Sequence, residues 1–339
     1  MNEKKNKILV AKNSDIREIM NFINSYWKKN HILARDKKFF LFQHSNRKKL
    51  NFIISKNKKN KINGIIGFIK ASKNNNSDVW TSTWKVLKNS IDPMLGVRLL
   101  EFIKKLGYRS IMSAGINIDT IGIYKYLGYS TGKLDHFFLP NKKFIHNKIG
   151  IIPKKLKDLN FVPRKNKKYN ILKISSKNLK EKFSFSSYRL RIPFKDWNYF
   201  NSRYFLHPNF KYQIYGIFLK KKLISIIVMR DVSKKSSSIL RIIDYYGEET
   251  PFKYLSDFFN SLIIVNDYEY IDLLCYGMKK KIIESAGFIE VPIKSKKIVI
   301  PNYFDPFLKK NIPIYFYVNK KLNSNLRIFK GDGDQDRPN

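Results

Sequence analysis

Cysteine and long apolar runs are scarce in this chain. Its 339 residues include a single cysteine, Cys275, which excludes an internal disulfide and a zinc site built from several cysteines. The longer apolar stretches, such as residues 223–229, fall far short of the roughly 20 residues that a membrane-spanning helix requires. The basic start of the chain lacks the apolar region of a secretory signal. These absences predict a cytoplasmic protein without a transmembrane segment.

Acidic residues are also scarce. They number 26 against 67 lysines and arginines, which gives a formal net charge of +41. Such a charge favours acidic partners such as nucleotide phosphates, or peripheral contact with an anionic membrane. The lysines are nevertheless spread over loop-like segments, as at residues 56–61, 165–168 and 220–222, and form no single stripe interleaved with aromatics. We therefore expect no specific nucleic acid partner.

Familiar catalytic and metal-binding motifs are missing as well. The sequence has no Ser-His-Asp motif, no His-Glu-x-x-His and no dinucleotide fingerprint. The five histidines are scattered without ligand spacing, so we expect no metal. Hydrophobic residues make up 43% of the chain, which is enough for a substantial core, and its length suffices for two ordinary domains.

Predicted helices and strands occur in the same order in two halves of the chain. The first half is predicted as helix 15–27, strands 51–55, 62–69 and 79–87, helix 95–106, strand 110–116, helix 117–129 and strand 133–139. The second half is predicted as helical segments within 179–197, strands 212–219, 223–230 and 239–246, helix 252–264, strand 271–275, helix 279–286 and strand 298–300.

This alternation of short strands with single helices predicts an α/β class with mixed sheets. A Gly-aromatic pair, a strand and a Pro-Asn pair end both halves, at residues 128–141 and 287–302. We therefore predict an internal repeat. Its parts are domains at 1–146 and 169–330, a basic linker at 147–168 and an acidic tail at 331–339.

One segment carries a family resemblance. Residues 117–129 read Asn-Ile-Asp-Thr-Ile-Gly-Ile-Tyr-Lys-Tyr-Leu-Gly-Tyr. This resembles the last helix of the GNAT superfamily of acyl-CoA-dependent N-acyltransferases, with matches at Asn117, Tyr124, Leu127 and Gly128. The resemblance implies two GNAT-like folds in tandem and makes Tyr124 the general acid for the departing CoA thiolate. The residues alone also fit an ordinary amphipathic helix with an asparagine cap and a glycine stop.

A second segment, residues 91–100, resembles the loop of that family that binds the pyrophosphate of CoA at a helix N-terminus. Met94 replaces one glycine and Ile91 stands where a polar residue is usual, so a plain strand-to-helix turn is the alternative. The second half departs further, with two acids in its loop and Ile283 at the place of Tyr124, and is expected to be a substrate-binding or structural copy. The resemblance implies contacts with acetyl-CoA or another acyl-CoA from Leu95, Gly96, Val97, Arg98 and Asn117.

Arginines next to aromatic residues suggest where an acceptor could bind. Guanidinium groups bind phosphates and aromatic rings stack on sugars, which suits a nucleotide-linked sugar. The alternative is ordinary packing, with rings inward and arginines outward. The predicted substrate-binding residues are Trp80 and Trp84, which alternate on one strand, and Arg189, Arg191, Trp197 and His207.

The resemblance extends over the whole chain. Residues 27–40 and the ending 331–339 are similar to GNAT-related proteins of bacterial surface-polysaccharide (O-antigen) gene clusters. That likeness implies acylation of an amino sugar, a nucleotide sugar or a glycan. A non-catalytic tandem fold that binds such intermediates is the alternative. The alternating acids of the tail resemble the start of a calcium loop without its later glutamate, so a frayed tail is expected.

Overall fold

The computed structural model describes residues 6–46, 49–88, 90, 92–144, 146–157, 166 and 168–338. Its strands are β1 Lys7–Lys12, β2 Ser45–Asn46, β3 Lys49–Lys56, β4 Ile62–Lys70, β5 Asp78–Val86, β6 Ser110–Ile116, β7 Ser130–Lys133, β8 Asp135–Pro140, β9 Tyr169–Lys173, β10 Gln213–Leu219, β11 Lys222–Lys234, β12 Ser237–Gly247, β13 Tyr270–Tyr276, β14 Ile289–Glu290, β15 Tyr315–Val318 and β16 Ile328–Phe329.

Its α-helices are α1 Ile16–Phe22, α2 Ile32–Arg35, α3 Lys37–His44, α4 Leu95–Lys105, α5 Ile121–Tyr126, α6 Lys154–Lys157, α7 Ser176–Lys182, α8 Trp197–Phe200, α9 Ser256–Val265 and α10 Lys280–Ser285. Short turns of 3-10 or π helix extend several of them.

Two mixed sheets organise these elements. The first has the order β1-β3-β4-β5-β6-β15-β7, with β2 beside β3, and the second has the order β14-β8-β13-β12-β11-β10-β9, with β16 beside β13. In the first sheet, Phe52 and Ile54 pack under helices α1 to α3, while Ile53 packs under α4 and α5. This alternation follows from the two-residue period of a strand. The predicted α/β class with mixed sheets is confirmed.

The second sheet is covered on both faces in the same way. Ile227 and Met229 face the core under α9 and α10, whereas Ile226 and Val228 face the core under α7 and α8. The predicted strand at 298–300 is wrong, because Val299 makes only an isolated bridge to Ile151.

The two sheets exchange one strand each. Strand β8 lies between β13 and β14 in the second sheet, and β15 lies between β6 and β7 in the first. The predicted single strand at 133–139 is therefore wrong. Only Leu134 separates β7 from β8, and one residue is too short for the hairpin that would return β8 to the first sheet.

A buried ionic cluster fixes the exchanged strand β8. Asp272 on β13 accepts hydrogen bonds from Arg241 Nη2 at 2.6 Å and from His136 Nε2 on β8 at 3.3 Å. Burial would raise the pKa of Asp272, but Arg241 and His136 outweigh it and lower that pKa. Strand β8 comes from the first predicted domain but lies in the second sheet, and β15 comes from the second predicted domain but lies in the first sheet. The domain boundaries at 146 and 169 therefore stay a prediction.

The predicted linker and tail are both attached to the second sheet. Glu269, just before β13, accepts hydrogen bonds from the backbone N–H groups of Lys148, Ile149 and Gly150. Residues 158–165 and 167 of the predicted linker lie outside the described part of the chain. The expected frayed tail is wrong: Asp332 and Asp336 are 0% and 3% exposed. We call residues 331–337 the C-terminal segment.

Candidate functional site

The strands β5 and β6 separate halfway along their length. They pair in parallel at three positions, ending at Trp80 and Met112. Strand β6 pairs with β15 along its other edge, and beyond Trp80 the described part of β5 pairs with β4 alone. Thr81 Oγ1 lies 2.7 Å from Tyr317 Oη where the strands part. We call the resulting gap the first cleft, and backbone groups along its β5 edge lack a strand partner among the described residues.

A bulge in β5 decides which tryptophan borders this cleft. Ile65 pairs with Lys85 and Gly67 with Ser82, so β5 carries one extra residue, and Thr83 adopts a left-handed φ of 43°. The bulge reverses the alternation of side chains along the strand. Trp80 and Trp84 therefore lie on opposite faces of the sheet, and substrate binding by these two residues stays a prediction.

Aromatic rings form the helix-side wall of the first cleft. The ring of Tyr124 on α5 stacks on Tyr317 with 4.1 Å between centroids and lies 6.0 Å from the Trp84 ring. Tyr124 is 3% exposed. Burial raises its pKa to about 12, although a side-chain hydrogen bond with Thr120 acts in the opposite direction. The phenol is thus protonated at neutral pH.

The predicted pyrophosphate loop leads into α4 beside the same wall. A Cβ on Gly96 would lie 3.4 Å from the Trp84 ring, so the first turn of α4 packs beside this tryptophan. Asp92 accepts a hydrogen bond from Met94 N at 3.0 Å and forms an ion pair with Arg98. This ion pair engages the arginine expected to contact a phosphate. Ile91 lies outside the described residues.

The other predicted cofactor residues have mainly structural surroundings. Leu95 is fully buried in the core under α4, and Val97 is half-buried. Asn117 is exposed and caps the turn before α5, since its Oδ1 accepts a hydrogen bond from Asp119 N at 3.3 Å. Contacts of these residues with CoA stay predictions.

The C-terminal segment borders the opposite side of the first sheet. Trp80 is fully buried, and a Cβ on Gly333 would lie 3.5 Å from it. Gln335 Nε2 donates a hydrogen bond to the carbonyl of Ala114 on β6 at 2.9 Å. Gly115 leaves room for that amide, because a Cβ there would lie 2.2 Å from Gln335 Nε2. The end of β6 is thus in contact with residues from the far end of the chain.

The predicted arginine and aromatic cluster does not converge on one ligand site. Arg189 is exposed, and Arg191 forms an ion pair with Glu249 at 3.2 Å. Trp197 Nε1 donates to the carbonyl of Ser176 at 3.0 Å, which is a packing contact.

His207 and Arg203 from the same stretch also have internal partners. His207 Nδ1 accepts a hydrogen bond from Phe210 N at 3.0 Å. Burial, and to a smaller extent the charge of the nearby Arg203, lowers the pKa of the His207 ring to about 3. Arg203 Nη2 donates to carbonyls of the C-terminal segment, including that of Gly333 at 2.7 Å. Sugar binding by this stretch stays a prediction.

The acids of the C-terminal segment pair with separate cations. Asp332 lies 2.9 Å from Lys195, and Asp336 lies 2.6 Å from Arg230. Asp334 lies 2.6 Å from Arg337 within the segment itself. Within the described ranges, no cluster of His, Cys, Asp and Glu could hold a metal ion. None of the helices in those ranges is long and apolar enough to cross a membrane.

Sequence reasoning missed Tyr317 and Gln335. The aromatic and β-branched run at 315–318 is typical of a strand, so β15 itself could have been predicted. Nothing in that run indicates that it would enter the first sheet, almost 200 residues away in sequence from β6. Gln335 has no local sequence signal at all, because its role depends on the path of the C-terminal segment.

Comparisons with known proteins bear on the fold. No family model matches the chain, and no curated protein matches it in sequence. A GCN5-related N-acetyltransferase from Anabaena variabilis superposes with a TM-score of 0.53 at 11% identity, over 93% of this chain and 72% of that one. An Enterococcus faecalis protein described as a probable N-acyltransferase superposes with a TM-score of 0.56 at 8% identity, with the same coverage. The chain has the fold of GNAT-type acyltransferases, in a tandem arrangement.

Proposed function

We propose that the chain is an acyl-CoA-dependent N-acyltransferase whose donor site is the first cleft. The observation that carries this is the separation of β5 from β6 beside Gly96 and Tyr124. A linear thioester could lie along the unpaired edge of β5, with its carbonyl facing backbone N–H donors. Its diphosphate would lie at the N-terminus of α4, where unpaired N–H groups favour an anion.

The reaction needs a neutral amine and an acid for the leaving group. The amine nitrogen attacks the thioester carbon and the C–N bond forms. The C–S bond then breaks, the nitrogen gives one proton to solvent, and the CoA thiolate takes a proton from the acid, which solvent reprotonates. Tyr124 supplies that proton in this proposal, because its ring lies in the wall of the first cleft and its phenol is protonated at neutral pH. The acceptor proposed is the amine of an amino sugar or related surface-polysaccharide intermediate. The family resemblance of the whole chain supports that class.

Isothermal titration of the intact protein with acetyl-CoA tests the proposal. We expect binding by the wild type and a loss of at least about a hundredfold in Gly96→Glu, because a carboxylate would face the diphosphate. Gly96→Ala is the matched control, since its Cβ would make an ordinary 3.4 Å contact with Trp84. If the folded wild type has no affinity for acetyl-CoA, a non-catalytic module that binds nucleotide sugars or glycans becomes the better assignment.

A further inference from the structure

A cavity of about 210 Å³ lies between the C-terminal segment and the second sheet. Its walls come from β11, β12, the loop at 302–305 and residues 330–337. Charged groups of both signs line it, including Arg230, Asp231, Asp305 and Lys330. Such walls suit a polar ligand with an ammonium and several hydroxyl groups better than an apolar one.

Lys330 differs from the other cations of this cavity. Arg230 is paired with Asp336 at 2.6 Å and Arg241 with Asp272 at 2.6 Å. Lys330 is 2% exposed, and its side-chain Nζ makes no hydrogen bond or ion pair with any residue that the structure describes. Its Nζ lies 4.8 Å from the centre of the Tyr303 ring. An ammonium here would therefore be a buried charge without a counter-ion, which is costly.

The surroundings of Lys330 favour its neutral form. Burial is the largest cause, and Arg241 and Arg230 act in the same direction, so the pKa falls to about 7 although Asp336 and Asp272 oppose the shift. The Tyr303 ring lies beside Lys330, and the nearby His136 is kept neutral because burial lowers its pKa. The other charged residues that line the cavity are Asp231, Asp305, Asp334 and Arg337. At neutral pH this amine can accept a proton.

The cavity and the first cleft share a wall. Gln335 lines the cavity and also bonds to Ala114 at the end of β6. Asp334 lines the cavity too, and the preceding Gly333 packs on Trp80 of β5. The segment that lines the cavity thus also contacts the strand ends that border the first cleft.

We propose that this cavity receives the acceptor amine and that Lys330 is the general base that removes its proton. This inference rests on the proposed function of the first cleft. The acceptor ammonium gives one proton to Lys330 Nζ, and the neutral amine attacks the thioester. As the C–S bond breaks, the CoA thiolate takes the proton of Tyr124, and the nitrogen of the new amide gives its second proton to solvent. Solvent then reprotonates the Tyr124 phenolate, and the Lys330 ammonium returns its proton to solvent.

The first test follows Lys330 itself by NMR in protein labelled at the lysine Cε carbons. The signal is assigned by its absence from Lys330→Met or, should that variant not fold, from Lys330→Arg. We expect titration near pH 7. Titration at the ordinary lysine value, near about 10.4, would overturn the inference whether or not acetyl-CoA binds.

The second test measures acetyl transfer from acetyl-CoA to a dTDP-linked amino sugar across pH. For the wild type we expect the rate to rise through about pH 7, since the neutral base is needed. Lys330→Met should lose about a hundredfold in turnover and lose that inflection, with unchanged acetyl-CoA affinity. Lys221→Met, in the exposed turn before β11, is the control and should match the wild type.

The outcomes separate the two proposals. If Lys330→Met keeps the turnover rate of the wild type and its inflection near pH 7, Lys330 is not the general base, and the proposed function still stands. Acetyl-CoA binding without transfer to the amino sugar would overturn the assignment of the cavity to this acceptor class. A wild type that does not bind acetyl-CoA would overturn the proposed function and, with it, the role of Lys330.

Discussion

The two halves of the molecule contain the same separation of parallel strands, and in the second half another strand of the chain pairs into the gap. In the second half β12 and β13 pair at three positions, ending at Ile242 and Leu273, and then separate as β5 and β6 do. There, β16 pairs with β13, and Gly331 N donates to the carbonyl of Ile243 at 2.7 Å. We call this filled gap the second cleft. An extended ligand could pair with the free strand edge of the first cleft, whereas the second cleft already holds an extended peptide.

The N-termini of the helices beside the two clefts also differ, and only the one in the first half suits an anion. The second residue of α4 is Gly96, and the second residue of α9 is Asp257, whose charge would repel a phosphate. Counting four residues back from the Gly-aromatic pair gives Tyr124 in the first half and the fully buried Ile283 in the second. The comparison supports the proposal that the donor site lies in the first half, whereas the second half holds β16 and Gly331 in the same opening.

Removing the C-terminal segment should produce the largest effect, because it removes buried ion pairs and hydrogen bonds made beside the second cleft. Deletion of residues 331–339 takes Asp332 from the buried Lys195 and Asp336 from Arg230. It also takes several carbonyl acceptors from Arg203. Breaking one buried pair costs about 3–5 kcal/mol, so we expect a loss of at least about 5 kcal/mol in the free energy of unfolding, measured in urea.

The control for this deletion is Arg337→Gln. Its ion pair with Asp334 stays within the segment and is partly exposed, so the loss should be under about 1 kcal/mol. A deletion variant that unfolds at the urea concentration of the wild type would show that the segment does not hold the second cleft together.

Much of the fold was predictable because local patterns determine it. The alternation in 51–55 and 223–230 and the apolar face of 95–106 placed strands and helices nearly where β3, β11 and α4 occur. The exchange of β8 and β15 was not predictable, since it depends on a one-residue connection at Leu134 and on pairing between distant segments.

The candidate site was predictable only where a local motif carries it. The segments around Gly96 and Tyr124 do lie beside one cleft, as the motifs imply. The bulge at Thr83 that separates Trp80 from Trp84 has no clear signal in sequence, because threonine rarely adopts a left-handed φ. The burial of Lys330 is a tertiary property, and nothing in its neighbouring residues indicates it.

A smaller effect is expected from Tyr124→Phe. This variant leaves the first half without a hydroxyl at this position, as in the second half, where the residue is Ile283. The variant keeps the ring that stacks on Tyr317 and removes only the hydroxyl. We expect unchanged acetyl-CoA affinity, stability within about 1 kcal/mol, and turnover lowered about a hundredfold, as for loss of one general acid. Tyr126→Phe on the same helix, where Tyr126 is 87% exposed, should behave as wild type. Full turnover in Tyr124→Phe would move the acid elsewhere, with the hydroxyl of Tyr317 the nearest alternative.

The smallest effect is expected when the charge is removed from the acid in the loop before each of these helices, Asp92 before α4 or Glu249 before α9. Asp92 forms an ion pair with Arg98 in the first half. In the second half Glu249 forms ion pairs with Arg191 and Arg327, and these side chains are less exposed. Asp92→Asn keeps an oxygen for the hydrogen bond from Met94 N but removes the charge, so Arg98 becomes free to contact a diphosphate.

We expect Asp92→Asn to tighten acetyl-CoA binding about three- to tenfold by titration calorimetry, since one partly exposed charge contact contributes about 1 kcal/mol. Glu249→Gln is the matched change in the second half. It should leave acetyl-CoA affinity unchanged, because that loop faces a cleft already filled, and it should lower stability through the loss of two partly buried ion pairs. Tighter binding in Glu249→Gln but not in Asp92→Asn would reverse the comparison and place the donor site in the second half.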